Sequence, residues 1–256
     1  MSTSILPDTQ EEGFRVVDLA RDSGLFVKLI GGLGVAAHDH YVLPTVLERQ
    51  FGDIDLVVGS KNGKVLSSFL TEMGYQANQR FNALHGANRL LFYDVENKRQ
   101  VDVFVSEFKM CHALSLENYL NLHPRSLTPE HLLLTKLQIV EINRKDLLDV
   151  LRIIYMHPHA KGDKDCPGIS IERMNLILAS DWGWYTTVTD NMKKALEFSE
   201  ATLAASEHLA VKETLTMLLD QIESAPKSSK WKGRAIIGRR KSWFEIPEEV
   251  DGTRSK

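Results

Sequence analysis

Two aspartates separated by one isoleucine lead into an apolar, β-branched run at Asp53-Ile54-Asp55-Leu56-Val57-Val58. On a strand successive side chains alternate faces, so Ile54 and Leu56 turn to a core while Asp53 and Asp55 share the other face. Carboxylates side by side repel one another unless a cation sits between them. A hard, oxygen-seeking ion such as Mg²⁺ suits that position. Upstream, Gly31-Gly32 lets the backbone approach closely, as a turn requires when its N–H groups meet phosphate oxygens at a helix start. Alone, a glycine pair is more often a tight turn and an exposed aspartate a solvated strand-end acid.

The flanking pattern mixes both periodicities. Residues 9–23 carry a helical stripe (Phe14, Val17, Leu19, Ala20), residues 26–30 read as a short strand, and residues 33–40 as a short helix. Residues 64–73 are amphipathic, with Val65, Leu66, Phe69, Leu70 and Met73 at helical spacing. Residues 75–81 read as a strand. Residues 89–95 and 100–105 form a hairpin about Glu96-Asn97-Lys98. In the second hairpin strand Asp102 interrupts an otherwise apolar register, and a charge there needs a reason. After His112 the pattern turns helical. Thr128-Pro129-Glu130 is a helix start with Thr128 as cap. That helix carries Lys136 within an apolar run, and residues 144–156 and 169–224 continue as helix. The expectation is an α+β chain: an N-terminal mixed β-sheet flanked by helices (residues 1–115), a mostly helical domain (116–225) and a basic C-terminal extension (226–256).

Bulk properties narrow the partners. The chain has 256 residues, enough for a sizeable core, and a formal charge of −3, which gives no global argument for nucleic acid or membrane. Cys111 and Cys166 have no short metal spacing, which suits free thiols in a reducing, cytoplasmic setting. His157, His159 and Cys166 surround a loop, but their spacing fits no standard zinc pattern, and His38 with His40 lacks a third ligand. No stretch approaches the roughly 20 apolar residues of a membrane span, and the polar, acidic N-terminus is unlike a signal peptide. The extension holds Lys227, Lys230, Lys232, Arg234, Arg239, Arg240 and Lys241, interleaved with Trp231 and Trp243. Such a tail is usually solvated, its tryptophans docked on the core; the alternative is a nucleic-acid contact with bases stacked on the indoles.

Gly31-Gly32, Asp53-x-Asp55, a lone Asp102 in a later strand, Lys136 in a helix after Thr-Pro-Glu, and Arg-Lys-Asp-x-x-Asp at residues 144–149 occur in that order. Together they resemble the nucleotidyltransferase superfamily, with its polymerase-β-like minimal fold, and most closely the AbiEii-like toxin-type nucleotidyltransferases, over roughly residues 25 to 155. The resemblance implies transfer of a nucleoside monophosphate from an NTP such as ATP to an acceptor, with release of pyrophosphate. It implies Asp53, Asp55 and Asp102 as metal ligands and catalytic groups for two Mg²⁺ ions, about 3.5–4 Å apart. Gly31, Gly32, Arg49 and Lys136 would meet the nucleotide, and Asp146 would orient Lys136 or the acceptor. Arg49 stands where this superfamily often has arginine. Two residues depart from the pattern: Leu33, where active relatives carry Ser or Thr, and Phe51, where a small hydroxyl residue is common.

Bland readings stand beside these: Lys136 as a snorkelling lysine, Asp146 as a favourable acid in a helix's first turn, Asp149 as a partner for a neighbouring cation. Three functions compete. One is an active nucleotidyltransferase whose acceptor is RNA (tRNA included), a protein or a small-molecule hydroxyl, with a cognate antitoxin as partner in a toxin-like setting. Leu33 and Phe51 motivate a second, a catalytically silent nucleotide- or partner-binding module. The third is a small-molecule-modifying enzyme of the aminoglycoside-transferase kind.

Overall fold

A computed structural model describes residues 4–161 and 168–246; Cys166 and residues 247–256 of the basic extension lie outside it. Helix α1 (Thr9–Asp22) starts at Asp8, whose side chain accepts from Glu11 N, and buries Val16, Val17 and Ala20. Strand β1 (Val27–Leu29) follows, then helix α2 (Gly31–Ala36), strand β2 (Ile54–Val58), helix α3 (Gly63–Glu72), strand β3 (Gln76–Ala77), helix α4 (Gln79–His85), and strands β4 (Arg89–Asp94) and β5 (Arg99–Val105). The strands form one five-stranded mixed sheet in the order β1-β2-β5-β4-β3. Only β2 and β5 pair in parallel; β1 with β2, and β4 with both β5 and β3, are antiparallel.

Strand alternation sorts the sheet's side chains into two cores. Ile54, Leu56 and Val58 of β2 and Val101, Val103 and Val105 of β5 pack with α1 and α3 residues on one face. Val57 and Phe104 face the other way and join the core of the helical region. The helical region comprises α5 (Pro129–Leu137), α6 (Arg144–Met156), α7 (Ile171–Leu178), α8 (Trp182–Thr202), α9 (Ala205–Ser224) and α10 (Ser229–Ile237). The mixed sheet with its helices, followed by a helical C-terminal region, is the α+β arrangement expected of the sequence.

Three local expectations are corrected, and one pair of strands is added. The glycine pair is not a turn ahead of a helix; Gly31 and Gly32 are the first residues of α2. The strand expected over residues 75–81 is only two residues long, because Asn78 caps a helix instead, its side chain accepting from Phe81 N. Thr128 does precede α5, but its hydroxyl bonds Glu130 and His131 rather than the helix backbone. A small antiparallel pair, β6 (Glu107–Lys109) with β7 (Ala113–Ser115), stands between the sheet and the helices.

The described part of the basic extension, residues 226–246, folds back onto the helices. Trp243 Nε1 donates to Thr187 Oγ1 at 3.0 Å, and Glu245 N donates to Cys111 O at 3.0 Å. Some of its cations are engaged, Arg239 with α8 and the others within or next to the extension itself. Arg239 binds both oxygens of Asp190, Arg234 donates to the carbonyls of Gly238 and Lys241, and Lys227 donates to that of Ala225. No helix among the described residues is long and apolar enough to cross a membrane.

Candidate active site

The site grows from the parallel pairing of β2 with β5. Register sets Asp55 beside Asp102 on adjacent strands, where side chains at one level share a face about 4.8 Å apart. That face looks toward α5 and α6, whose core takes Val57 and Phe104 from the same two strands. Asp102 is buried and Asp55 half-buried. Burial, and then the charge of Asp102, push the Asp55 carboxyl up to about 7, against the opposing pull of Lys136 and Arg89. Asp53 precedes the strand and is exposed.

Gly31 has φ +62°, in the region that favours glycine. A Cβ built on it would lie 2.2 Å from Asp55 Oδ2, so the missing side chain is what leaves room for that carboxylate. At Gly32 the same construction meets Arg49 Nη2 at 2.8 Å and the Phe51 ring at 3.0 Å. The first intrahelical bond of α2 runs from Gly34 N to Ile30 O, so the N–H groups of Gly31, Gly32 and Leu33 are not consumed by the helix. The Leu33 side chain turns the other way, into the core beneath α1; it lines no part of the site.

The cations come from the helices. Lys136 Nζ lies 2.9 Å from Asp146 Oδ1 and 2.9 Å from Asp149 Oδ2. Burial works against its charge, but Asp149 and Asp146 outweigh burial and hold the ammonium above its ordinary pKa. Asp146 and Asp149 sit three apart on α6, one turn along the same face. Asn143 caps that helix by accepting from Asp146 N at 3.0 Å. Arg49 Nη1 is 3.0 Å from each oxygen of Asp149 and stacks 5.4 Å from the Phe51 ring centroid, which Arg152 approaches at 5.8 Å. Phe51 thus supports two guanidinium groups at a position where a hydroxyl residue was the expectation.

Asp102 is engaged differently from the expectation that it joins Asp53 and Asp55 around metal. Arg89 grips both of its oxygens, with Nε to Oδ1 at 2.8 Å and Nη2 to Oδ2. Among the described residues, no group of three or more His, Cys, Asp or Glu side chains is placed to hold a metal ion. The fit differs between the two expected ions. Asp53 and Asp55 supply hard oxygen donors on one face with no hydrogen bond of their own among the described residues, and one divalent ion suits them. Asp102 suits a second ion less well, because the Arg89 guanidinium already neutralises its charge and takes one hydrogen bond on each oxygen.

Sequence reasoning missed Arg89; its reading of Asp149 as a partner for a neighbouring cation agrees with the pairs to Arg49 and Lys136. The signal for Arg89 lay in the hairpin. Counting back from its turn pairs Leu91 with Asp102 and Arg89 with Phe104, which puts Arg89 on the carboxylate face, one diagonal from Asp102. A cavity of about 760 Å³ lies elsewhere, between α8 and the returning extension; Trp182, Trp243 and Arg234 wall it and it contains none of the expected site residues.

No protein-family model and no curated protein matches the chain. Among solved structures, the lincosamide antibiotic adenylyltransferase LnuA, in its lincomycin-bound crystal structure, is similar over 57% of this chain and 96% of that one, at 16% sequence identity and a TM-score of 0.43.

Proposed function

We propose that the chain is a metal-dependent nucleotidyltransferase that moves a nucleoside monophosphate from an NTP to a hydroxyl acceptor and releases pyrophosphate. The observation that carries this reading is the convergence of Asp55, the open N–H groups of Gly31 and Gly32, and the Lys136 ammonium on one patch of the sheet. Asp53 and Asp55 would hold one divalent ion. When bound, such an ion neutralises triphosphate charge and polarises a phosphoryl oxygen. The other parts supply binding and orientation, which phosphoryl transfer needs more than covalent partners. The first-turn N–H groups of α2 donate to phosphate oxygens. Lys136, fixed by Asp146 and Asp149, offers a point charge whose position no longer depends on a flexible chain. Arg49, tied to Asp149, closes the side of the site next to Gly32.

RNA, protein and small-molecule hydroxyls all remain acceptors under this reading. The extension supports RNA only through Lys230, Lys232, Arg240 and Lys241, which make no ion pair among the described residues, since its other cations serve the fold. A second reading, a nucleotide-binding module without transfer, is favoured by the Arg89 grip on Asp102.

The deciding experiment measures pyrophosphate release from each NTP with Mg²⁺ across RNA, protein and small-molecule acceptors. Wild type is expected to release pyrophosphate with one acceptor class, and Asp53→Asn and Asp55→Asn to lose about a hundredfold or more in rate. Variants that fold and keep the wild-type rate would place the chemistry elsewhere. Saturable NTP binding with no pyrophosphate from any acceptor would establish the silent module.

A further inference from the structure

The Arg89 side chain is fixed from every direction that the fold allows. Its Nε and Nη2 both bind Asp102, whose side chain is 6% exposed against 28% for Arg89. The guanidinium carbon lies 5.0 Å from the Phe104 ring centroid and 6.0 Å from that of Phe81. Phe104 is the residue opposite Arg89 in the hairpin ladder. Phe81 belongs to α4, which is pinned to the same strand through Asn82: Oδ1 accepts from Leu91 N at 2.7 Å and Nδ2 donates to Leu91 O at 3.2 Å. Leu91 is in turn the ladder partner of Asp102. One helix that buries none of its own residues therefore holds in place the ring that backs the arginine. Rotating Arg89 away would break two charge-assisted bonds and two ring contacts together, and would leave Asp102 as a buried carboxylate with no counter-ion.

Three of the five guanidinium donors are not used by this grip, and Nη1 makes no hydrogen bond among the described residues. Arg89 also acts on Asp55, whose ionisation it favours. A planar cation, partly exposed and anchored through Nε and Nη2, stands beside the paired carboxylates.

We propose that Arg89 is the resident second cation of this site. Asp102 is then not a metal ligand but the anchor that aims the Arg89 guanidinium, and the centre takes a single divalent ion, on Asp53 and Asp55. The free Nη1 edge meets a phosphate oxygen of the nucleotide. This inference rests on the nucleotidyltransferase reading. It departs from that reading's sequence-level expectation of two ions and gives Arg89 a binding role.

The test is Mn²⁺ stoichiometry, read by electron paramagnetic resonance and calorimetry in the presence of a non-hydrolysable NTP analogue, with thermal unfolding as the check on folding. Wild type is expected to bind one ion, lost in Asp53→Asn/Asp55→Asn and still one in number in Asp102→Asn. Arg89→Gln frees Asp102, and a second ion should appear with affinity raised about tenfold or more over any residual second binding in wild type. The double variant Arg89→Gln/Asp102→Asn, which removes both charges and leaves neither stranded, should return to one ion. In metal-free buffer, Arg89→Gln should also weaken NTP binding relative to wild type. Two ions in wild type, one of them lost in Asp102→Asn, would overturn the inference and leave the nucleotidyltransferase reading standing. One ion in both wild type and a folded Arg89→Gln protein would overturn it as well. No ion in any variant, with no nucleotide bound, would remove both readings together. If Arg89→Gln does not fold, the Asp102→Asn stoichiometry alone decides, since fewer ions there than in wild type contradict the inference.

Discussion

At the scale of single residues, Asp55 is a group whose protonation the fold controls. Its carboxyl is pushed up to about 7 by burial and by Asp102. The folded state therefore keeps a proton that the unfolded chain releases near pH 4, and this residue's contribution to stability declines as pH rises from about 4 through 7. Replacing Asp55 by Asn is expected to raise stability at pH 8, by up to about 4 kcal/mol, and to change little at pH 4. Urea unfolding at the two pH values checks this, and an equal effect at both would mean that Asp55 is hydrated in the native state. The residues themselves were unevenly legible. Asp53, Asp55 and Asp102 announce themselves as acids that interrupt apolar strands. Arg89 and Asp149 do not, because an arginine at a strand start and an acid on a helix are ordinary surface residues until their partners are known. Asp149 binds Arg49 across 100 positions of sequence, a distance at which no local pattern carries information.

At the scale of elements, α2 shows how the backbone serves the site. A methyl group on Gly31 would meet both an unfavourable φ of +62° and the Asp55 carboxylate at 2.2 Å. Gly31→Ala is expected to destabilise the fold by roughly 2 kcal/mol or more and to weaken NTP binding, whereas Gly24→Ala, at φ +80° with open space around it, should cost stability alone. A comparison of unfolding midpoints and NTP affinities separates the two, and unchanged affinity in Gly31→Ala would mean that α2 does not contact the nucleotide. Elements with strong periodicity and clear punctuation were readable: α1, β2, the β4–β5 hairpin, α5 and α6. Helix α4 was not, since it buries no residue and so has no apolar stripe to read. Its start depends on a single asparagine cap. The pair β6–β7 was unreadable for the same kind of reason, with strands only three residues long.

At the scale of the molecule, sheet and helices are joined by a cluster of histidines. His38 at the end of α2 stacks on His123 at 4.2 Å, and His157 at the end of α6 lies 5.6 Å from His38 and 5.3 Å from His40. Burial, and then the neighbouring His123, bring His38 down to about 3; burial, and then Lys28, bring His123 down to about 4. Both rings are neutral in the folded chain and take protons when it unfolds, so stability is full above about pH 6.5 and is lost as pH falls toward 4 and 3. The loss is up to about 1.4 kcal/mol per pH unit for each ring, which outweighs the opposite slope of the single Asp55. Urea midpoints measured from pH 7 to pH 5 should therefore fall, and His123→Gln should flatten the fall. A midpoint independent of pH over that range would mean that the cluster opens to water. The division into a sheet region and a helical region was visible in the sequence because periodicity changes after His112. What joins them was not, because histidines carry no periodic signal.

The Arg49–Asp149 pair has a consequence for how the protein is made. A ribosome adds about 5–20 residues per second, so Asp53 and Asp55 exist for roughly five to twenty seconds before Asp149 is synthesised. Until then Lys136 and Arg49 have no shared counter-ion, and the parallel strands that align Asp55 with Asp102 lack the helices that cover their site face. A nascent or truncated chain ending before α6 therefore carries the aspartates without the positioned cations. Competence arrives only once the helical half has been translated and docked.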